Sequence, residues 1–416
     1  MQLTTTIAGG AGIAALRVND CLNSANIDST LFFSDRHVEV SPDKTVNWTK
    51  NFIEQSLSSI NTLFQRSIQR RSQVPISIYS TSMPRRTRRA LVGFDIIHIH
   101  NYFNLLSVRD LKYLARTEKP IFITLHDERH FTAACHLTLG CKQFASGCRS
   151  CPQVIKPMTI LVRISGKARQ RALRNIKNLN VIAPSHWIKQ NAILSSLMKA
   201  REYRVIPNPV PNMFFQAANL TDNNIKKNYD LELNFTTIGF IAADVSNPMK
   251  NLSVVLEAFN LLQSQSTLKK YKLLLVGKNT QGLQLPRNVE LVHSQSMSTT
   301  IEYLKRMDLL VVASFSENLP NVIAEALAIN LRVAGSNLGG IPEMLNSSSG
   351  LVFEPDSPRD LANAIINLTR IENDGDISKK AFQKYGEEVV SEQLIEFYEQ
   401  ALKVTVSSNT SDSSFE

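Results

Sequence analysis

Ser316-Glu317-Asn318-Leu319-Pro320-Asn321-Val322-Ile323-Ala324-Glu325-Ala326 follows directly on the apolar run Asp308-Leu309-Leu310-Val311-Val312-Ala313-Ser314. An unbroken apolar run of this length is what a parallel-sheet strand buried on both faces requires. Pro320 and Asn321 suit the first turn of a helix that follows it. Ligands of open α/β sheets bind at this strand-to-helix edge, where unpaired N–H groups and a partial positive charge meet a phosphate. If Glu317 and Glu325 share that helix, an eight-residue step turns about 800°, so both acids point into one quadrant about 12 Å apart. That span suits a nucleotide sugar, with sugar hydroxyls at one end and ribose at the other. The alternative is a solvated helix carrying two unrelated acids.

Working outward, strand-like runs alternate with helical segments along the whole chain. They are expected near 2–7, 29–33, 96–100, 121–125 and 181–183, then near 235–242, 272–276, 289–292, 309–313 and 332–334. Such alternation is the signature of doubly wound parallel sheets. The 416 residues, 43% of them apolar, are enough for two cores. The seam falls in Val205-Ile206-Pro207-Asn208-Pro209-Val210-Pro211, whose prolines cannot continue a helix or a central strand. The expected organisation is an N-terminal Rossmann-like domain over 1–207, a second over 208–385, a helix over 386–405 packing back toward the first, and a disordered tail over 406–416.

Charge is uneven. Residues 1–210 hold 29 Lys/Arg against 12 Asp/Glu, and the remainder 17 against 24. Much of the excess lies in Arg66–Arg71, Arg85–Arg89 and a helical stretch carrying Lys167, Arg169, Arg171 and Arg174. An anionic bilayer attracts such clusters by roughly 1 kcal/mol per residue. Nucleic acid is the competing partner, but with 7% aromatics and no aromatic-rich recognition motif none is expected. No apolar run reaches the ~18 residues of a membrane span, and no signal-peptide pattern opens the chain. A cytoplasmic protein, peripheral at the inner face of the membrane, is the expectation.

With the acid pair, two Rossmann-like halves and the proline seam together, the chain resembles the retaining, GT-B-fold glycosyltransferases of family 4, in a bacterial branch similar to the colanic acid transferases. The resemblance covers nearly the whole chain and implies two doubly wound domains facing a central cleft. It implies that the glycine turn Gly9-Gly10-Ala11-Gly12 and a second turn, Gly339-Gly340, lie near the donor. It gives His126, at the end of Ile121–Leu125, a place beside the donor sugar, with Asp127 on the acceptor side. Lys250 would meet the diphosphate; the arginine many relatives carry just upstream is replaced here by Ala242-Ala243-Asp244. Glu317 would hold sugar hydroxyls, the amides of Asn318 and Leu319 the phosphates, and Glu325 the ribose. His126, Glu317 and Lys250 are the expected catalytic group.

The implied activity moves a sugar from a nucleoside diphosphate sugar to a glycan or lipid-linked acceptor, with no metal or cofactor needed for the chemistry. A catalytically degenerate nucleotide-sugar binder or partner protein is the alternative.

Four of the five cysteines, Cys135, Cys141, Cys148 and Cys151, fall in one short loop, 135–151. In a cytoplasmic protein this density points to a structural zinc site of four thiolates, with free thiols or a disulfide as alternatives. His126-Asp127-Glu128 with Cys148-x-x-Cys151 also matches the halves of a zinc deaminase loosely. There the Pro precedes the first Cys, whereas Pro152 follows the pair here. Asp374-Gly375-Asp376 has the form of a metal-binding Asp-x-Asp but no strand before it, and reads as surface.

Overall fold

The computed structural model describes all residues except 36–37, 39–41, 49–51, 71–73, 104, 219–234, 266–269, 279–284, 294–295, 372–375 and 413–416. The chain divides into two compact units, Met1–Pro209 with Val390–Glu416, and Val210–Val389. The first holds strands β1 (Gln2–Leu3), β2 (Leu31–Phe33), β3 (Thr45–Asn47), β4 (Ile97–Ile99), β5 (Ile121–Thr124), β6 (Leu179–Ala183) and β7 (Glu202–Val205). They form one parallel sheet in the order β3-β2-β1-β4-β5-β6-β7. The second holds β8 (Phe235–Asp244), β9 (Lys270–Lys278), β10 (Val289–Val292), β11 (Leu309–Val312), β12 (Arg332–Ser336) and β13 (Gly350–Phe353), parallel in the order β10-β9-β8-β11-β12-β13.

In each sheet the chain winds outward from its first strand and then returns to that strand's other side. The switch points lie between β1 and β4 and between β8 and β11, and ligand loops belong outside the strand ends there. The strands at those points are buried on both faces, as in Leu309–Val312, which is why they read as unbroken apolar runs.

Three strands absent from the sequence expectation, β3, β7 and β13, are all outermost in their sheets. An edge strand keeps one side in water and needs no such run, so Glu202-Tyr203-Arg204-Val205 carries two charges and is half-buried throughout.

The boundary between units falls inside the proline-rich stretch, at Pro209. The C-terminal helix, Glu387–Asp412, returns to the first unit, where Val390, Leu394, Phe397 and Tyr398 pack on Val18, Leu22 and Phe122. Phe122 meets Phe397 and Tyr398 edge-on at centroid distances of 5.0 and 4.7 Å, a favoured aromatic arrangement. The tail expected to be disordered from residue 406 is instead helical through Asp412, because extending an existing helix needs no new nucleus. Residues 413–416 lie outside the described residues, as do Asp374 and Gly375 of the Asp-x-Asp segment.

Candidate active site

In the second unit two loops beyond β8 and β11 meet. The helix after β11 spans Asn321–Ala328, with Pro320 extended at its N-cap. Glu317 therefore lies in the loop before the helix and not on it, so the eight-residue helical step does not relate it to Glu325. The reason is local: a residue preceding proline is driven out of the α region, so the helix cannot begin before Pro320. Asn318 and Leu319 are buried in this loop, and Glu325 is buried within the helix.

The Glu317 loop is held from three sides. The Ser336 hydroxyl donates to the Ser314 carbonyl at 2.7 Å, and the Phe315 amide donates to the Met249 carbonyl at 2.9 Å. The Gly340 amide donates to the Glu317 carbonyl at 3.1 Å. Gly339 has φ +63°, and a Cβ there would stand 1.9 Å from that same carbonyl oxygen. Only glycine fits, so Gly339 and Gly340 act here by fixing the backbone that aims Glu317.

The aim is toward Lys250. That residue ends a short 3-10 turn, Pro248–Lys250, capped by the Asn247 side chain and closed by Asn251 in the left-handed region. Its ammonium forms a salt bridge with Glu317 Oε1, which also accepts from Ser314 Oγ at 3.2 Å. Both side chains stay partly open to solvent, at 34% and 20% of full exposure. A half-exposed cation beside a carboxylate fixed by its loop, at the C-terminal edge of a parallel sheet and next to a helix N-terminus, can take a diphosphate on one and hydroxyls on the other.

In the first unit, Gly9 opens the helix Gly9–Ser24 with φ +70°, and a Cβ on Gly9 or Gly10 would meet nothing within 4 Å. Those two faces are open for a ligand. Gly12 differs: a Cβ would stand 2.4 Å from the Thr6 carbonyl oxygen, so it serves the packing of its own loop.

His126 lies two residues past β5 and is half-buried against a column of histidines that the sequence reading did not single out. His100 Nε2 lies 2.9 Å from Gln2 Oε1, and His100 Nδ1 lies 3.0 Å from His126 Nε2. An amide oxygen can only accept, so the His100 proton sits on Nε2 and its Nδ1 accepts from His126 Nε2–H. That leaves His126 Nδ1 as an acceptor. Beneath them, Tyr398 Oη is 2.6 Å from His98 Nδ1, and Thr124 Oγ1 is 2.7 Å from His98 Nε2. The signal in the sequence is Ile97-His98-Ile99-His100, two polar rings alternating with core residues on a central strand.

Asp127 is occupied. Its carboxylate meets His136 Nδ1 at 2.6 Å and accepts from the Arg129 amide at 2.9 Å, and His136 Nε2 is 2.8 Å from Ser77 Oγ. Burial acts to raise its pKa, but His136 with His130 and His126 outweighs that, and the carboxyl falls below its usual range. Burial, with His130, lowers His126 to about 3, and burial also lowers His130 to about 4; His98 and His100 are held well below 6.5, again chiefly by burial. Burial raises Glu128 to about 7 against two hydrogen bonds from Thr138.

These shifts set a pH dependence. A histidine lowered in the fold is neutral when folded and protonated when unfolded between its two pKa values, so stability is lost as pH falls below 6.5. Glu128, raised in the fold, works oppositely between 4.5 and 7. Near pH 5, unfolding takes up about four protons on the histidines and releases about one from Glu128, a slope of roughly 4 kcal/mol per pH unit. The expected result is a steep fall in the urea midpoint between pH 6.5 and pH 5. A flat profile over that range would refute the neutral column.

The cysteines lie near one another: Cys135, Cys148 and Cys151 are buried and Cys141 half-buried. Burial, with neighbouring thiols adding to it, pushes Cys148 up to about 11 and raises Cys135 and Cys151. Four zinc ligands would have to converge at about 2.3 Å from one point. Among the described residues no group of three or more His, Cys, Asp or Glu side chains is gathered for a metal ion. The thiols of Cys148 and Cys151 bond instead to backbone at Ala133 and at Gln153 and Val154.

The model of Glycosyltransferase Family 4 matches residues 8–212, and that of Glycosyl transferases group 1 matches residues 223–389. A Bacillus subtilis glycosyltransferase named for teichuronic acid biosynthesis, TuaC, is 27% identical over 195 residues, which is 47% of this chain and 47% of that protein. An Escherichia coli glycosyl transferase named for colanic acid biosynthesis, WcaC, is 24% identical over 338 residues, covering 76% of this chain and 78% of the other. The chain thus spans about half the length of the first relative and three quarters of the second. Among solved structures, Anabaena Alr3699/HepE in complex with UDP aligns with TM-score 0.63 and 16% identity over 96% of this chain and 99% of that one, a likeness of fold. With the two domain models following one another along both parallel-sheet units, the chain belongs to the family 4, group 1 glycosyltransferases.

Proposed function

We propose that this protein transfers one sugar from a nucleoside diphosphate sugar to a glycan or lipid-linked acceptor in the synthesis of a bacterial cell-surface polysaccharide, with retention at the anomeric carbon. The observation that carries the reading is the Lys250–Glu317 pair, held at the sheet edge by a glycine turn that admits no other residue. Lys250 releases Glu317 to meet the diphosphate, Glu317 then takes donor-sugar hydroxyls, and the amides about Asn318 and Leu319 face the phosphates. No nucleophile is required: the leaving phosphate accepts the acceptor's proton on the same face. Charge developing on that phosphate is met by groups already in place, which is where catalysis of this kind draws most of its rate. His126 enters as a neutral ring with an accepting nitrogen.

The test is thermal stabilisation and slow hydrolysis across UDP-, GDP-, ADP- and dTDP-sugars. Cleavage of one donor is the expected result. Stabilisation by a donor with no cleavage, with or without acceptor, would favour the degenerate binding protein, a reading to which the missing arginine after β8 lends weight.

The same reading includes docking on an anionic membrane. Among the described residues no helix is long and apolar enough to cross one. The helix Thr159–Arg174 presents Ile160, Arg163, Ile164, Lys167 and Arg171 outward, at spacings of three and four that make one face. The helix Phe52–Ile68 exposes Leu57, Ile60 and Leu63. Apolar side chains flanked by cations suit an anionic interface. Contrary to expectation Arg169 is not part of this face, because it points into the core. Sedimentation with phosphatidylglycerol vesicles at low salt is expected, with loss in 0.5 M salt or after Ile160→Ser with Ile164→Ser; equal binding to phosphatidylcholine would refute it.

A further inference from the structure

Arg169 raises a problem of charge. It projects from the helix Thr159–Arg174 into the first unit and is 4% exposed, yet among the described residues its Nε and Nη1 have no partner. Among those residues it bonds from Nη2 to the Thr132 carbonyl. The same carbonyl accepts from Arg129 Nη1 at 3.2 Å. Arg129 is 3% exposed, donates through Nε to the Ser77 carbonyl at 2.6 Å and stacks over Phe103 at 4.8 Å. Beside them the Tyr102 hydroxyl is buried and, among the described residues, without a partner. Two guanidinium groups thus share one neutral acceptor, and among the described residues neither is paired with a carboxylate. Asp127, whose charge reaches Tyr102, is engaged by His136.

A guanidinium cannot shed its proton inside a protein, and a buried charge without a counter-charge is among the most costly arrangements known. Water could complete the missing hydrogen bonds. It could not supply the charge.

All three side chains line a cavity of about 440 Å³, with Leu106 and Ile78 on its apolar wall and the exposed Arg109 at its lining. The size suits a single sugar ring with a substituent. The cavity also backs onto the turn that carries His126: the Arg129 amide donates to Asp127, and the His130 ring packs edge-on to Tyr102 at 5.1 Å.

We propose that this cavity binds a carboxylate or phosphate group carried by a sugar of the acceptor, gripped by the free edge of Arg169 and the Tyr102 hydroxyl. Planar guanidinium edges match both groups bidentately. The assignment to the acceptor rests on the transferase reading above; the binding of an anion does not.

The test is calorimetric titration of the full chain with glucose 6-phosphate, glucuronate, inorganic phosphate and glucose, on wild type, Arg169→Met and Arg109→Ala. Wild type is expected to bind at least one of the two sugar anions at least tenfold more tightly than glucose. Arg169→Met should lose that margin while its melting temperature stays level or rises, because removing an uncompensated charge relieves the fold. A merely structural Arg169 would give the opposite, a fall in melting temperature with anion binding intact. Arg109→Ala, at an exposed position, should weaken binding severalfold without affecting folding, and decides the matter if Arg169→Met fails to fold. Preference for the phosphate ester would mark a phosphorylated acceptor, and preference for glucuronate an acidic glycan. Absence of any preference for anions over glucose, or a preference that survives both substitutions, overturns the proposal. UDP binding measured on the same samples keeps failure here distinct from failure of the transferase reading.

Discussion

Glu317→Gln is expected to lower kcat with the cleaved donor by about 10²- to 10³-fold, the range that removal of one preorganised electrostatic contact produces. The substitution keeps shape and removes charge. In the folded protein the carboxylate holds the Lys250 ammonium and accepts from Ser314; during turnover it is proposed to hold sugar hydroxyls. Binding of the nucleoside diphosphate alone should be unchanged or tighter, because Lys250 loses its internal partner. The result that would sink the assignment is a large loss of nucleotide affinity with kcat preserved for the bound donor, since that would place Glu317 on the nucleotide rather than on the sugar.

Lys250→Met is expected to behave in the opposite sense. It removes the cation that meets the diphosphate, so affinity for the nucleoside diphosphate should fall by about 10- to 100-fold, the scale of one charge-assisted contact of about 1.5–3 kcal/mol, and kcat should fall as well because the leaving phosphate loses its counter-charge. The double variant should lose less than the product of the two single losses, because residues that touch are not independent. Purely additive losses would show that the salt bridge has no part in binding. Both variants should fold normally: the pair is partly exposed, and an ion pair open to solvent contributes little to stability.

Much of this architecture was legible in the residues because its strands are buried on both sides. Ile121-Phe122-Ile123 and Leu309-Leu310-Val311-Val312 had to be apolar throughout to sit where they do. Three of the four edge strands, β3, β7 and β13, free of that demand, left no comparable trace. The residues of the second unit's candidate site were also legible, since a proline, two glycines and an acid at fixed spacing constrain the backbone locally. The wrong inference there, Glu317 on the helix, came from applying helical geometry across Pro320. In the first unit the sequence pointed to His126 but not to the partners that set its protonation. Gln2, His98, His100 and Tyr398 are scattered over nearly the whole chain, and only strand pairing and the returning C-terminal helix bring them together.

Two doubly wound units, the seam between them and the family are written in local stretches of residues, because burial on both sheet faces and the φ values of glycine and proline act on residues close together in the chain. Tertiary structure alone decided which charges are solvated and which are buried. Arg169 shares a helix with Arg163, Lys167 and Arg171, which face water, but stands on the opposite side with Ser165, Gly166 and Leu173, and spacing alone does not say what that side meets. Only the packing of that helix against Thr132 and Tyr102 withdraws its charge from solvent, and with it comes the demand for an anion.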